Sequence, residues 1–182
     1  MDNDKLKKSK IADKAITLTD KHVLFWGSFL SNWCPCDIKY YFEDEDKEHY
    51  FPTSEHLFMY LKAKCFNDEN AKSSLLLTVQ PMMAKIIGRS VKNYDDKVWS
   101  EKRYEAMLKA NYAKYEQNQD LREMLLDPKF DGKSFVEASP EDGIWGIKRM
   151  QNDQDADDET KWKGQNLLGK VLDEVREKLK NQ

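Results

Sequence analysis

Thr53-Ser54-Glu55-His56-Leu57-Phe58-Met59-Tyr60-Leu61-Lys62-Ala63-Lys64-Cys65-Phe66 is the stretch that decides the fold class. Thr53 or Ser54 is a suitable N-cap, because a hydroxyl oxygen there accepts an orphan backbone N–H. Leu57, Phe58, Leu61 and Cys65 recur at three- and four-residue steps, which buries one face of a helix over residues 55–66. Polar residues sit in odd places on this helix. Glu55 and Lys62 are seven positions apart. At ~100° per residue, seven steps return to within about 20° of the same direction, two turns along. A carboxylate beside an amine on a buried face tunes both pKa values and offers an acid/base and a nucleophile. The same spacing also suits an exposed carboxylate at the positive end of the helix dipole and an exposed lysine. His56 reads as a packing or hydrogen-bonding residue at the helix start.

Downstream the pattern stays helical. Residues 67–70 break the first helix and 71–77 form a short second one. Pro81 opens a third over 82–89. Asn93, Asp95 or Asp96 caps a longer helix through Tyr115, with Val98, Met107, Leu108 and Tyr112 as its apolar face. Residues 120–126 form another helix, stopped by Asp127-Pro128, and 166–180 the last, with Leu168, Val171, Leu172, Val175 and Leu179 in register. Residues 134–138 read as a short strand. The polar, acidic stretch 151–163 reads as a mobile loop with no core residue before Trp162. Upstream, Val23-Leu24-Phe25-Trp26 and the aromatic run 37–42 predict a small antiparallel hairpin over 23–51 with an exposed acidic tip. Residues 1–20 read as a flexible polar tail. The fold class expected is mainly α: a single helical domain over 21–182 with a small β element near its N-terminus.

Composition narrows the function. A length of 182 residues suits one domain. The 30 basic and 33 acidic residues leave a net charge of −3, which excludes a polybasic coat for duplex nucleic acid but not a local basic pocket. Cys34, Cys36 and Cys65 are an odd number, against a closed disulfide framework, and read as reduced thiols. A zinc site would need His49 or His56 to join them, and no metal is expected. The N-terminus has no apolar segment of a secretory signal, and no apolar run is long enough to span a bilayer. The expectation is a soluble, cytoplasmic monomer without membrane association. There is no G-x-G-x-x-G, Walker loop, G-x-S-x-G or H-E-x-x-H.

Two further segments are candidates. Ser139-Pro140-Glu141-Asp142-Gly143-Ile144-Trp145-Gly146 places a carboxylate, a large aromatic and two glycines in a turn; Trp145 suits stacking on a planar ring. It equally suits an ordinary turn with a tryptophan over the core. Gly164-Gln165-Asn166-Leu167-Leu168-Gly169 starts a helix whose N–H groups favour a phosphate, or is simply a capped helix.

Taken in order, the segments resemble the YbiA/NADAR family. They are 26–33 (Trp26 to Trp33), Phe51-Pro52-Thr53-Ser54-Glu55-His56, Lys62-Ala63, Trp99 with Met107, Ala113-Lys114-Tyr115 with Asn118, Phe135-Val136-Glu137-Ala138-Ser139 with Asp142 and Trp145-Gly146, and 164–169 with Val175-Arg176. The resemblance covers roughly residues 22–180. It implies a mainly helical fold and N-glycosidase activity on ribose–nitrogen bonds, with no cofactor. Some members cleave riboflavin-pathway intermediates; others remove ADP-ribose from guanine in nucleic acid. It implies catalytic roles for Glu55 and Lys62, and substrate-binding roles for Trp26, Ser31, Asn32, Trp99, Asp142, Trp145, Gly146 and Asn166. Lys62 is then a Schiff-base nucleophile or a phosphate anchor. The partner expected is ADP-ribosylated guanine in DNA or RNA. The alternatives are a ribosylamino-pyrimidine phosphate, or ADP-ribose or NAD held by a non-catalytic module. The long acidic stretch 151–163, with Lys148 and Arg149 before it, departs from the family pattern and bears on substrate choice.

Overall fold

The computed structural model describes residues 16–182, so most of the tail expected over 1–20 lies outside the described residues. Its last part does not: Ile16–Leu18 is a strand (β1). Backbone pairing of β1 with His22–Phe25 (β2) moves the folded boundary ahead of residue 21. The chain divides into two compact units, residues 35–119 forming one and the flanking segments the other.

In the flanking unit, β2 is the middle strand of the order β1-β2-β5, where β5 is Ser134–Glu137. β2 runs antiparallel to β1 and parallel to β5. All four β2 residues are buried, which suits a central strand covered on both faces. The hairpin expected over 23–51 is therefore corrected: Val23–Phe25 belongs to this sheet and pairs with a segment more than a hundred residues later. The helix Leu167–Lys180, labelled α6 below, packs on β5. At Gly169 an added Cβ would collide with the Phe135 carbonyl, so the helix lies directly on the strand. Arg176 donates to the Phe130 and Lys133 carbonyls and covers the Phe135 ring.

The stretch 151–163 is also corrected. Ala156 is buried in a cluster with Leu24, Val136, Ala138 and Ile147, and Trp162 packs against it. The Trp162 indole donates to the Ala156 carbonyl at 2.9 Å. His22 is buried, with Asp157 Oδ1 2.7 Å from Nδ1 and Glu159 Oε1 3.2 Å from Nε2. The acidic residues of this stretch thus fasten it to β2.

In the unit 35–119, Ile38–Phe42 (β3) and Lys47–Phe51 (β4) form the hairpin that the aromatic run predicted. Its tip is not simply exposed. Glu45 accepts hydrogen bonds from Tyr60 (3.0 Å) and Lys64 (2.9 Å) and pairs with Lys72 at 2.7 Å. Burial alone would raise the Glu45 pKa, but the bonds from Lys72, Lys64 and Tyr60 outweigh it and hold it at about 2. Four helices follow: Ser54–Cys65 (α1), Glu69–Leu77 (α2), Pro81–Arg89 (α3) and Asp96–Gln117 (α4). The helix Gln119–Leu125 (α5) comes next in the chain. α1 packs against α2, α3 and α4. Gly88 of α3 lies against α1, since an added Cβ would run into the Met59 side chain. Asn118 exchanges two hydrogen bonds with the Asp37 backbone and Gln117 two with that of Lys39, fixing the end of α4 to β3. The buried face of α4 is Trp99, Ala106, Met107, Ala110, Ala113 and Tyr115. Of the expected set only Met107 is fully inside; Val98 is exposed. The described residues contain six α-helices and two small sheets, the mainly helical class expected.

Candidate active site on the first helix

The start of α1 is held by Thr53. Its backbone is extended, and its hydroxyl oxygen accepts the His56 N–H at 3.3 Å. The same hydroxyl lies 2.8 Å from His56 Nδ1. This double use fixes the first turn, and with it Glu55. Glu55 is 6% exposed, so the alternative of a solvated carboxylate at the helix dipole is removed. His56 is fully buried; burial pushes its pKa down to about 4, against a smaller opposing pull from the Thr78 backbone. A neutral imidazole beside Glu55 is the result at neutral pH.

Lys62 lies two turns further, about 10 Å along the axis at ~1.5 Å per residue, on the same side of the helix. It is half-buried. Its Nζ lies over the Tyr94 ring, 4.2 Å from the centroid, and 5.9 Å from that of Trp99. Trp99 is itself buried, packed on Phe58 and Phe66. Burial and then the Arg89 charge lower the Lys62 pKa below the usual lysine range, and Asp96 restores part of it. A desolvated amine with a lowered pKa has a larger neutral fraction, as a nucleophilic lysine requires. Glu55, Lys62 and Trp99 therefore belong to one unit, with α1 carrying the first two.

The other predicted residues belong to the flanking unit. Trp26 follows β2 and is 55% exposed. The Ser31 hydroxyl accepts the Trp33 N–H at 3.1 Å, and Asn32 is buried. Asp142 Oδ1 accepts the N–H groups of Ile144 (2.9 Å) and Trp145 (2.8 Å), so its role in the structure is to fold the turn. Gly146 has no room for a side chain: a Cβ would sit 2.9 Å from the Glu137 carbonyl. Asn166 is left-handed (φ 51°), and its amide bridges β5, accepting from Glu137 N and donating to Phe135 O, both at 3.0 Å.

The segments 139–146 and 164–169 form one hydrogen-bonded knot. Leu167 N–H donates to the Ile144 carbonyl and Leu168 N–H to that of Trp145. The expectation of available N–H groups at the start of α6 is corrected there, because those two donors are already used.

Two residues emerge only in three dimensions. Nothing in the sequence brings Tyr94 to Lys62. Lys114, which the sequence marks only as part of a family-like segment, is completely buried. The three cysteines are free thiols. Among the described residues no group of three His, Cys, Asp or Glu is placed to hold a metal ion, and no helix is long and apolar enough to cross a membrane.

The family model for the NADAR domain matches residues 24–180, which includes every candidate site residue named in this subsection. This chain belongs to the NADAR family. Among curated proteins it is similar to protein irg-1 of Caenorhabditis elegans, with 40% identity over 139 residues. That match covers 75% of this chain, which spans 65% of the worm protein's length. It is 33% identical over 167 residues to N-glycosidase R617 of Acanthamoeba polyphaga mimivirus, covering 87% of this chain and 96% of that one. N-glycosidase YbiA of Escherichia coli is 34% identical over 129 residues, 71% of each chain. The NMR structure of E. coli YbiA superposes with a TM-score of 0.68 at 28% identity, covering 94% of this chain and 92% of that one.

Proposed function

We propose that this NADAR chain is an N-glycosidase that removes ADP-ribose from guanine bases of nucleic acid. The observation that carries the chemistry is the pairing, on one helix, of a buried Glu55 with a half-buried Lys62 of lowered pKa. The names of the mimivirus and bacterial relatives support the reaction class.

Cleavage of a ribosyl C–N bond sends the bonding electrons to nitrogen, which needs a proton, and leaves positive charge at the anomeric carbon. In this reading Glu55 gives that proton to the leaving base and takes one back from the attacking water. In the covalent branch the neutral Lys62 amine displaces the base at the anomeric carbon, the base leaving with the proton from Glu55. The resulting glycosylamine then opens, its C1–O4 bond breaking as the Lys62 imine forms and O4 takes the proton lost by the amine, and water hydrolyses the imine to free ADP-ribose and the amine.

The test is mass spectrometry of guanine-ADP-ribosylated DNA after incubation with the protein. The wild type should release ADP-ribose, and Glu55→Gln should lose about 10²–10⁴ of the rate, the usual contribution of a positioned acid/base. Borohydride should trap substrate on Lys62; full turnover without trapping removes the covalent branch. Cleavage of ribosylamino-pyrimidine phosphates instead of modified DNA would transfer the function to the metabolic reading. Binding of ADP-ribose without any turnover, unaffected by Glu55→Gln, would make the chain a binding module.

A further inference from the structure

Residues 70–94 contain four basic residues, Lys72, Lys85, Arg89 and Lys92, and no aspartate or glutamate, in a chain whose net charge is −3. Lys72 is committed to Glu45 and Glu69. The other three lie on α3 or just after it. The same segment concentrates exposed aliphatic side chains. Leu77 is 85% and Val79 75% exposed, at the junction of α2 and α3, so they stand out as a ridge rather than line a groove. Met82, Met83 and Ile86 of α3 are also exposed, and at three- and four-residue spacing they share one face. Cations border this apolar strip. Lys85 and Arg89 lie one turn from Met82 and Ile86 on α3. Lys92 follows the helix, and both it and Arg89 are exposed.

The strip runs beside α1. At one end the Thr78 backbone lies against the His56 ring, next to Glu55; at the other the Arg89 charge acts on Lys62. Between them Gly88 packs on Met59. An anionic partner seated on this strip therefore lies along the helix that carries Glu55 and Lys62.

We propose that the junction of α2 and α3, with the outer face of α3, docks the nucleic-acid strand that carries the modified base. Leu77 and Val79 act as the wedge between bases, and Lys85, Arg89 and Lys92 contact phosphates. Enzymes that work on a base must take it out of the stack, and apolar side chains such as Leu and Met occupy the gap. Basic residues supply the sequence-independent attraction. A second copy of this chain fits less well, because two such faces would bring cations against cations. Membrane-surface helices carry longer faces anchored by aromatics; α3 has nine residues, and residues 67–93 contain no aromatic.

The inference rests on the nucleic-acid reading of function, so its test separates the two. Binding of the full chain to short fluorescein-labelled, unmodified single-stranded DNA is measured by anisotropy over a salt series, independently of turnover. Leu77→Ser with Val79→Ser, and Lys85→Glu with Lys92→Glu, each checked for a wild-type thermal melt, should weaken binding about tenfold or more. Arg89 is left intact in both, because its charge also acts on Lys62. The lysine pair should also flatten the salt dependence, by roughly 0.7 in slope for each phosphate no longer neutralised. For both pairs the ratio of turnover on a modified oligonucleotide to turnover on free ADP-ribosyl-guanosine should fall about tenfold. Wild-type-like DNA binding by both pairs overturns the docking surface and leaves the glycosidase reading standing. No DNA binding by the wild type at low salt also overturns it. DNA binding that depends on the strip, without release of ADP-ribose from modified DNA, would keep the surface and refute the substrate. Loss of binding to phosphatidylserine vesicles, with DNA binding intact, would give the strip to a membrane.

Discussion

Lys62 carries the most direct prediction at the scale of a single residue. Its reactive form is the neutral amine, whose fraction grows as pH rises through a pKa that burial and Arg89 lower. Activity limited by Lys62 should rise with pH and level off below the usual lysine range. Arg89→Met removes a repelling charge, so the Lys62 pKa rises and the ascending limb of kcat/KM moves to higher pH; an unmoved limb counts against Lys62 as the titrating group. His56 makes a second prediction, in stability. Its folded pKa, about 4, lies below the ordinary 6.5. The unfolded chain therefore takes up a proton between those values that the folded chain refuses, and stability falls as pH drops from 6.5 toward 4. The loss attributable to His56 is about 3 kcal/mol at ~1.4 kcal/mol per unit. Asp173, whose carboxyl burial pushes up to about 6, opposes this in part of the same window. Denaturant melts of wild type and His56→Gln across that range should differ in slope, the variant being the flatter.

Caps and close approaches decide stability at the scale of the element. Thr53 serves both the first turn of α1 and the His56 ring. Thr53→Ala should cost about 1–2 kcal/mol in urea unfolding, the upper range for a lost N-cap. Exposed mid-helix glycines usually gain about 1 kcal/mol on change to alanine; the two helical glycines here should lose instead. At Gly88 the obstacle is the flexible Met59 side chain, and Gly88→Ala should cost about 1–3 kcal/mol. At Gly169 the obstacle is the Phe135 backbone carbonyl, which cannot swing away. Gly169→Ala should be the more damaging, with a lower melting temperature than Gly88→Ala; the reverse order would refute the direct seating of α6 on β5.

At the scale of the whole molecule, segments distant in sequence are joined by pairing. β2 meets β5 across more than a hundred residues, and Asp157 and Glu159 return to His22 near the start of the described chain. Both His22 nitrogens face carboxylates, Asp157 on one side of the ring and Glu159 on the other. His22→Ala should release the stretch 151–163, seen as faster limited trypsin cleavage after Lys161 and Lys163 while the unit 35–119 stays resistant. Unchanged cleavage would mean that the Ala156 and Trp162 packing holds the stretch without the histidine.

The helices were legible in the sequence because their signals are local. A hydroxyl cap, a 3.6-residue apolar period, Pro81 at a helix start and Asp127-Pro128 at a stop each act within a turn or two. The shared side of Glu55 and Lys62 was legible for the same reason, since helix geometry alone fixes it. The YbiA/NADAR resemblance supplied what periodicity does not, the reaction class. Tertiary structure decided everything that depends on distance along the chain. It assigned Val23–Phe25 to β5 rather than to the aromatic hairpin, since an apolar tetrapeptide fits either sheet. It brought Tyr94 under the Lys62 amine and buried Ala156 within an acidic stretch. It turned Asp142, Gly146 and Asn166 into parts of one knot that uses the first donors of α6. Burial, and with it every pKa shift on α1, is set by neighbours that no local pattern names.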